Sequence, residues 1–183
     1  MRDAFCSFCG TAFDAEAKKA YPRSCEGCKT TVWANPIPVS VVLVPIEHDA
    51  GTGLLVVRRA IEPGKDKLAI VGGFLEEHET WQHGGAREVR EETGVVIDPA
   101  SLEPFYFVST DPRPNRVLLF SIAGAVRADA LAAFTPNAET RERGVIFGSE
   151  GLDEVFAFPL HARAATRFFE SRGVSGPHRF TAV

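Results

Sequence analysis

The chain carries no excess of positive charge: 20 lysines and arginines stand against 24 aspartates and glutamates, a formal net charge of −4 over 183 residues. Capture of nucleic acid through its phosphates needs a basic face, so composition offers no electrostatic case for a DNA- or RNA-binding role. No stretch approaches the roughly 18 apolar residues needed to span a bilayer. The opening MRDAFCSFCG lacks the apolar core of a secretory signal. A cytoplasmic protein with no membrane partner is expected. Cysteine is scarce, four residues in all, and in a reducing compartment disulfides are not expected. Internal repeats and low-complexity tracts are also missing. What is present is ordinary for a globular chain, 45% hydrophobic and 24% charged. Its length suits one principal domain with a small appendage.

The few cysteines are nonetheless ordered. Cys6-x2-Cys9 and Cys25-x2-Cys28 are separated by fifteen residues, the spacing of two knuckles that give four thiolates to one tetrahedral Zn2+. Gly10 follows the first pair and Gly27 lies within the second, as tight turns would require. Free or redox-active thiols are the alternative. Residues 1–35 hold too few large apolar side chains to fold unaided, so metal binding would supply stability. Four protein ligands leave no open position, which makes this zinc structural. Five basic residues (Arg2, Lys18, Lys19, Arg23, Lys29) against four acidic ones (Asp3, Asp14, Glu16, Glu26) give the segment about +1, a poor phosphate-binding surface.

A second pattern lies between Gly73 and Val95, GFLEEHETWQHGGAREVREETGV, whose six acids and two arginines carry a charge equal to that of the whole chain. Thr80 is placed to cap a helix and Gly94 to stop it in a left-handed conformation. Glu88, Glu91 and Glu92 are then related by i,i+3 and i,i+4 and project from one face. Carboxylates so close raise one another's pKa, and a divalent cation among them relieves the repulsion. Hard oxygen ligands shared with phosphate and water suit Mg2+ or Mn2+. Arg87 offers a rigid fork to orient a neighbouring carboxylate, Glu88 first. Gly72-Gly73, on the loop before the helix, can bring the Gly73 carbonyl to the same metal. Gly84-Gly85 costs about 1 kcal/mol per glycine in a helix, which suggests close packing of the helix on a sheet. The competing reading is a solvated acidic face.

Elsewhere, Asn35-Pro36-Ile37-Pro38 reads as a stiff linker between residues 1–35 and 36–183. Val39–Ile46 reads as a buried strand in a hairpin with Leu54–Arg59. Lys67–Val71, Val95–Ile97, Phe105–Ser109, Arg116–Val126 and Gly144–Phe147 also read as strands, and Asp129–Phe134 as a helical turn. Asp111–Asn115 reads as a loop at the mouth of a site, Glu139–Arg143 as a charged loop and Pro159–Ser171 as an amphipathic helix. Two helices around a mixed sheet give an α/β/α sandwich.

The segment Gly73–Val95 resembles the Nudix box, G-x5-E-x7-R-E-U-x-E-E-x-G-U with U aliphatic, and matches it at every specified position. With the cysteine pairs ahead of it, the chain resembles the zinc-ribbon branch that contains NADH pyrophosphatases and plant-type FAD pyrophosphatases. The resemblance implies the Nudix sandwich fold and Mg2+- or Mn2+-dependent hydrolysis of a nucleoside diphosphate linked to another moiety, such as NADH, NAD+, FAD, ADP-ribose or a capped RNA end. It implies that Arg87, Glu88, Glu91 and Glu92 are catalytic, with Glu79 positioning the box or an outer metal. Glu139-Thr-Arg-Glu142 resembles an E-x-x-E whose first glutamate completes the metal site, which assigns Glu139, with Glu142 as the fallback. Phe74 is a candidate to stack on a base, and Arg113 and Arg116 to contact phosphate or adenosine. The stretch Ser109–Arg116 departs from the S-Q-P-W-x-F-P-x-S of NADH pyrophosphatases, keeping the serine and a proline without Gln, Trp and Phe. Homodimerisation is common in that branch. The alternative is a non-enzymatic ligand sensor or nucleic-acid-binding module, which would have eroded box carboxylates and a basic ribbon.

Overall fold

The computed structural model describes residues 4–111 and 115–183. The chain divides into two compact units, Met1–Pro36 and Ile37–Val183. In the first, strands β1 (Arg23–Ser24) and β2 (Thr31–Val32) pair antiparallel. Two similar turns carry the cysteines. Cys6 N–H donates to Thr11 O and Gly10 N–H to Cys6 O; Cys25 N–H donates to Thr30 O and Lys29 N–H to Cys25 O. Each turn passes through a left-handed residue after its second cysteine, Gly10 (φ 75°) and Lys29 (φ 60°). Gly27 therefore serves differently from Gly10: a Cβ there would lie 2.3 Å from Thr11 Oγ1. The core comprises Cys6, Phe13, Cys25 and Val32, with Ala17 and Tyr21 packed against it. So small a core cannot stabilise the unit unaided.

The second unit runs β3 (Ile37–Leu43), β4 (Pro45–His48), β5 (Gly51–Arg59), β6 (Leu68–Ala69), β7 (Val71–Phe74), α1 (Trp81–Thr93), β8 (Glu103–Ser109), β9 (Arg116–Ile122), β10 (Val126–Arg127), β11 (Thr140–Phe147), the one-turn α2 (Leu152–Val155), α3 (Pro159–Glu170) and β12 (Arg179–Ala182). Two mixed sheets form, rather than the single sheet expected. One is ordered β7-β3-β9-β8, with β3 and β9 parallel; the other is β10-β4-β5-β11-β12, with β6 also paired to β5 and β10 parallel to β4. The apolar run Val39–Ile46, expected as one strand, crosses between them: β3 ends at Leu43 and β4 begins at Pro45, which has no N–H to continue a ladder. The Lys67–Val71 stretch divides likewise into β6 and β7.

Both faces are buried along much of β3, β4 and β5, which gives the layers. Val41, Leu43, Leu54 and Val56 pack with Ala162, Ala165, Phe168 and Phe169 of α3. Their neighbours Val42, Val44, Leu55 and Val57 pack with Val89 of α1. The result is the α/β/α arrangement expected, built on uninterrupted aliphatic strands as double-sided burial requires.

Other expectations are corrected. Gly72-Gly73 is not a turn but part of β7, paired with Val41 and Ser40. Among the described residues Val95–Ile97 pairs with no strand; Val95 is buried while Val96 is 79% exposed. The strand from Arg116 stops at Ile122, and β11 begins at Thr140 inside the stretch read as a charged loop. Among the described residues no helix is long and apolar enough to cross a membrane.

Helix α1 begins and ends on local chemistry. Thr80 Oγ1 accepts the His83 N–H, and Gly94, at φ 74°, donates its N–H to Arg90 O. The two interior glycines bring it close to its surroundings. A Cβ on Gly85 would lie 2.8 Å from both Ser40 Oγ and Val42 Cγ2, and one on Gly84 would lie 2.4 Å from Leu75 Cδ2. Ser40 also donates its hydroxyl to Trp81 O across this contact.

Candidate active site

The site is assembled where α1 crosses β7. Gly72 (φ 156°) has no room for a side chain, since a Cβ would meet Ser40 O at 2.2 Å. Its N–H donates to Glu92 Oε2 at 3.3 Å. Gly73 lies against the Glu88 carboxylate, where a Cβ would come within 2.3 Å of Oε1. A larger residue at Gly73 would push the strand away from the acidic face of the helix, and one at Gly72 would clash with the β3 backbone.

Arg87 is fully committed to the protein. It donates from Nη2 and Nε to the two Glu79 oxygens at 2.7 and 3.1 Å, from Nη1 to Glu88 at 2.8 Å and Glu91 at 3.3 Å, and from Nη2 to Phe74 O at 3.1 Å. The Glu79 carboxyl is held below its usual range by these Arg87 bonds. It also accepts the Glu76 N–H, so Glu79 clamps the loop ahead of the helix through Arg87. Burial raises the Glu88 carboxyl despite Arg87. Glu92, only 7% exposed, is pushed up to about 8 by burial first and the Glu88 charge second.

Arg87, Glu88 and Glu92 face a cavity of about 890 Å³. Its acidic side is made by Glu88, Glu91 and Glu92 together with Glu139, from the loop before β11. One wall comes from the four-stranded sheet, whose register sets Val39 between Phe74 and Leu118. Phe74 is 51% exposed, and the Arg116 guanidinium carbon lies 5.2 Å from its ring centroid. Among the described residues Arg116 Nε is sealed without a hydrogen-bond partner. Another wall is formed by Arg59, Ile61, Phe158 and His161.

Glu139 is fastened by its backbone. Its N–H donates to Asn137 Oδ1 at 2.9 Å, its carbonyl accepts the Ala60 N–H at 2.8 Å, and Asn137 Nδ2 donates to Glu91 O at 2.9 Å. Glu142 does not line the cavity; it pairs with Arg58 at 2.7 Å. Arg113 lies outside the described residues. Arg59, Asn137 and His161 were not singled out by sequence, and none sits in a local pattern that could have marked it.

Four carboxylates with mutual repulsion, beside an arginine already saturated, form an oxygen-donor set that fits Mg2+ or Mn2+. In the first unit the donor set is sulfur. Cys9 and Cys25 Sγ lie 3.5 Å apart, Cys6 and Cys28 Sγ 3.8 Å apart, and all four within 4.8 Å of one another. Zinc–sulfur bonds of about 2.3 Å in a tetrahedron give edges of about 3.8 Å, so the cluster fits Zn2+. The Cys28 thiol is drawn down to about 6 by hydrogen bonds from the Thr30 hydroxyl and N–H, favouring the thiolate that a metal needs. Among the described residues no other group of three or more potential ligands is gathered so tightly.

The model of the NUDIX domain matches residues 36–166, more than two thirds of the chain. The protein belongs to the Nudix hydrolase family. Solved Nudix structures agree in fold. A NUDIX hydrolase from Nitrosomonas europaea is 25% identical with a TM-score of 0.65, the match covering 92% of each chain. That share is larger than Ile37–Val183 alone, so the match takes in part of the first unit. A bifunctional NMN adenylyltransferase/ADP ribose pyrophosphatase from Francisella tularensis, complexed with AMP and a Mn ion, is 19% identical (TM-score 0.60), with 76% of this chain and 42% of that one covered. A MutT/nudix family protein from Enterococcus faecalis is 23% identical (TM-score 0.52), covering 63% of this chain and 46% of that one. The Nudix chain thus spans less than half the length of the last two.

Proposed function

We propose that this Nudix hydrolase cleaves, with Mg2+ or Mn2+, the pyrophosphate bond of a nucleoside diphosphate linked to another moiety X, releasing two monophosphates. The observation that carries the reading is the Glu92 carboxyl, buried against Glu88 and pushed up to about 8, in a cavity with two further carboxylates, Glu91 and Glu139, and with Arg87 spent on protein acceptors. Glu88, Glu91, Glu92, Glu139 and the Gly73 carbonyl would hold the cation. When bound, it would neutralise charge on the diphosphate and lower the pKa of the attacking water. Arg87 orients Glu88, the candidate to take the proton from that water. Glu79 holds Arg87, and Asn137 ties Glu139 to the helix. Phe74 would receive one base by stacking, with the Arg116 guanidinium beside its ring. The cysteine cluster of residues 1–36 would hold a structural Zn2+.

Membership of the zinc-ribbon branch that includes NADH and FAD pyrophosphatases is part of this proposal, as is a dinucleotide or ADP-ribose substrate. The ADP ribose pyrophosphatase named for the Francisella tularensis structure supports that substrate class; the altered Ser109–Arg116 stretch weighs against NADH as the preferred member. The test is a product-resolved assay over NADH, NAD+, FAD, ADP-ribose and diadenosine polyphosphates with Mg2+ and with Mn2+. Wild type should yield two monophosphates from at least one, and Glu92→Gln should lose most turnover with an unchanged circular dichroism spectrum. Near-normal hydrolysis by that variant would overturn the assignment.

A further inference from the structure

Three residues of the second wall have no task in the hydrolytic step. Arg59 ends β5, Phe158 immediately precedes α3, and His161 lies in the first turn of that helix. All three line the cavity. The Arg59 guanidinium carbon lies 5.0 Å from the Phe158 ring centroid, and Arg59 Nε is anchored on Pro63 O at 2.8 Å. An aromatic face paired with an anchored guanidinium attracts a planar ring, by dispersion on one partner and by stacking or cation–π contact on the other.

His161 adds a polar element of defined sense. Its Nδ1 accepts the Ile70 backbone N–H at 3.2 Å. That nitrogen must therefore be unprotonated, and the imidazole proton resides on Nε2. Burial, reinforced by the Arg59 charge, lowers the His161 pKa to about 3, so the ring is neutral at ordinary pH. The ring is held between Phe120, with centroids 5.7 Å apart, and Phe158, 5.0 Å away. Among the described residues the Nε2–H has no acceptor, yet it is not one of the sealed unpartnered atoms, which are Arg116 Nε and Thr140 Oγ1. A neutral imidazole in this tautomer offers the cavity a single donor and no acceptor.

We propose that Arg59, Phe158 and His161 form a second ring-binding subsite that takes the moiety X as a neutral, flat heterocycle with a hydrogen-bond acceptor on its edge, and that His161 is the residue that selects it. This rests on reading the cavity as the diphosphate-hydrolase site, with Phe74 and Arg116 receiving the other base. A nicotinamide carboxamide or a flavin carbonyl would satisfy the His161 N–H. The terminal ribose of ADP-ribose has no flat, unsaturated ring to stack on Phe158. A site built around a buried donor rejects ligands that leave it unpaired. The volume of about 890 Å³ lies near the upper end of ligand pockets, as a two-ring substrate needs.

The test is calorimetric binding of NADH, FAD and ADP-ribose to zinc-loaded protein freed of other divalent ions, for wild type, His161→Asn and Phe158→Leu. NADH and ADP-ribose differ by the nicotinamide ring alone. Asparagine keeps an acceptor for the Ile70 N–H while removing the donor on the far side of the imidazole. The tighter of NADH and FAD should bind wild type at least about tenfold more tightly than ADP-ribose, and either variant should cut that ratio by about tenfold. A general loss of structure would weaken all three ligands and leave the ratio standing. A wild-type ratio near one, or a ratio that both variants preserve, overturns the subsite. Parallel assays with Mn2+ separate the two readings. Wild type that hydrolyses none of these three, nor NAD+ or diadenosine polyphosphates, defeats the hydrolase reading, whereas the ring preference is judged by binding alone.

Discussion

The two ligand clusters of this protein meet the problem of like charges in opposite ways. Four sulfurs in the first unit lie within 4.8 Å of one another, close enough for one zinc to take all of them and leave nothing open. The carboxylates of the second unit are spread over α1 and the loop before β11, with Arg87 already occupying oxygens of Glu88 and Glu91. A closed cluster suits a cation that holds a fold together, as residues 1–36 require for want of a core. An open one suits a cation shared with phosphate and water. In the proposed assignment, tight gathering of donors goes with structure, and incomplete gathering beside a cavity goes with chemistry.

The comparison can be broken at several points. The largest effect is expected for Glu92→Gln, with kcat lower by on the order of 10³-fold and the fold retained; steady-state kinetics and circular dichroism check both halves. Cys25→Ser should act in the reverse sense. Zinc content should fall from one per chain to none and residues 1–36 should become sensitive to limited proteolysis, while kcat falls far less than in Glu92→Gln. An equal loss of turnover in both variants would erase the distinction between the clusters.

Charge gives a pH signature. The folded Glu92 pKa of about 8 lies above the ordinary 4.5, so between those values the folded state keeps a proton that the unfolded state has released. Stability of the protein free of Mg2+ and Mn2+ should therefore fall as pH rises from 4.5 to 8, by up to about 1.4 kcal/mol per unit. Urea melts should show this slope flattened in Glu92→Gln, and Mn2+ should recover the loss at pH 8 in wild type only. Asn137→Ala removes the bonds that tie Glu139 to α1, and should raise the Mn2+ concentration for half-maximal activity by about tenfold, with kcat changed less. The smallest effect is Gly85→Ala. Its Cβ would sit 2.8 Å from Ser40 Oγ and Val42 Cγ2, costing about 1–3 kcal/mol of overpacking offset by about 1 kcal/mol of helix propensity, for a melting-temperature drop of a few degrees.

The parts of the site that depend on local chemistry were legible in the chain. Thr80 and Gly94 bound α1 because a cap and a left-handed stop act within a turn of the helix. The i,i+3 and i,i+4 spacing of Glu88, Glu91 and Glu92 sufficed to turn them toward one cavity. The division into two sheets was not legible, because Val39–Ile46 is apolar on both faces and carries no alternation to mark the crossing at Val44. Glu139 came from resemblance alone. Asn137 and His161 were invisible because their partners, Glu91 O and Ile70 N–H, lie 46 and 91 residues away, and Arg59 meets Phe158 only once the chain has folded.

The most direct measurement is a calorimetric titration of Mn2+ into zinc-loaded wild type and Glu92→Gln at pH 8, without substrate. The account predicts at least one Mn2+ bound per wild-type chain, with that binding abolished or weakened by an order of magnitude or more in the variant. Equal Mn2+ binding by the two proteins, or none by wild type, would contradict the assignment of the α1 carboxylates as the metal site.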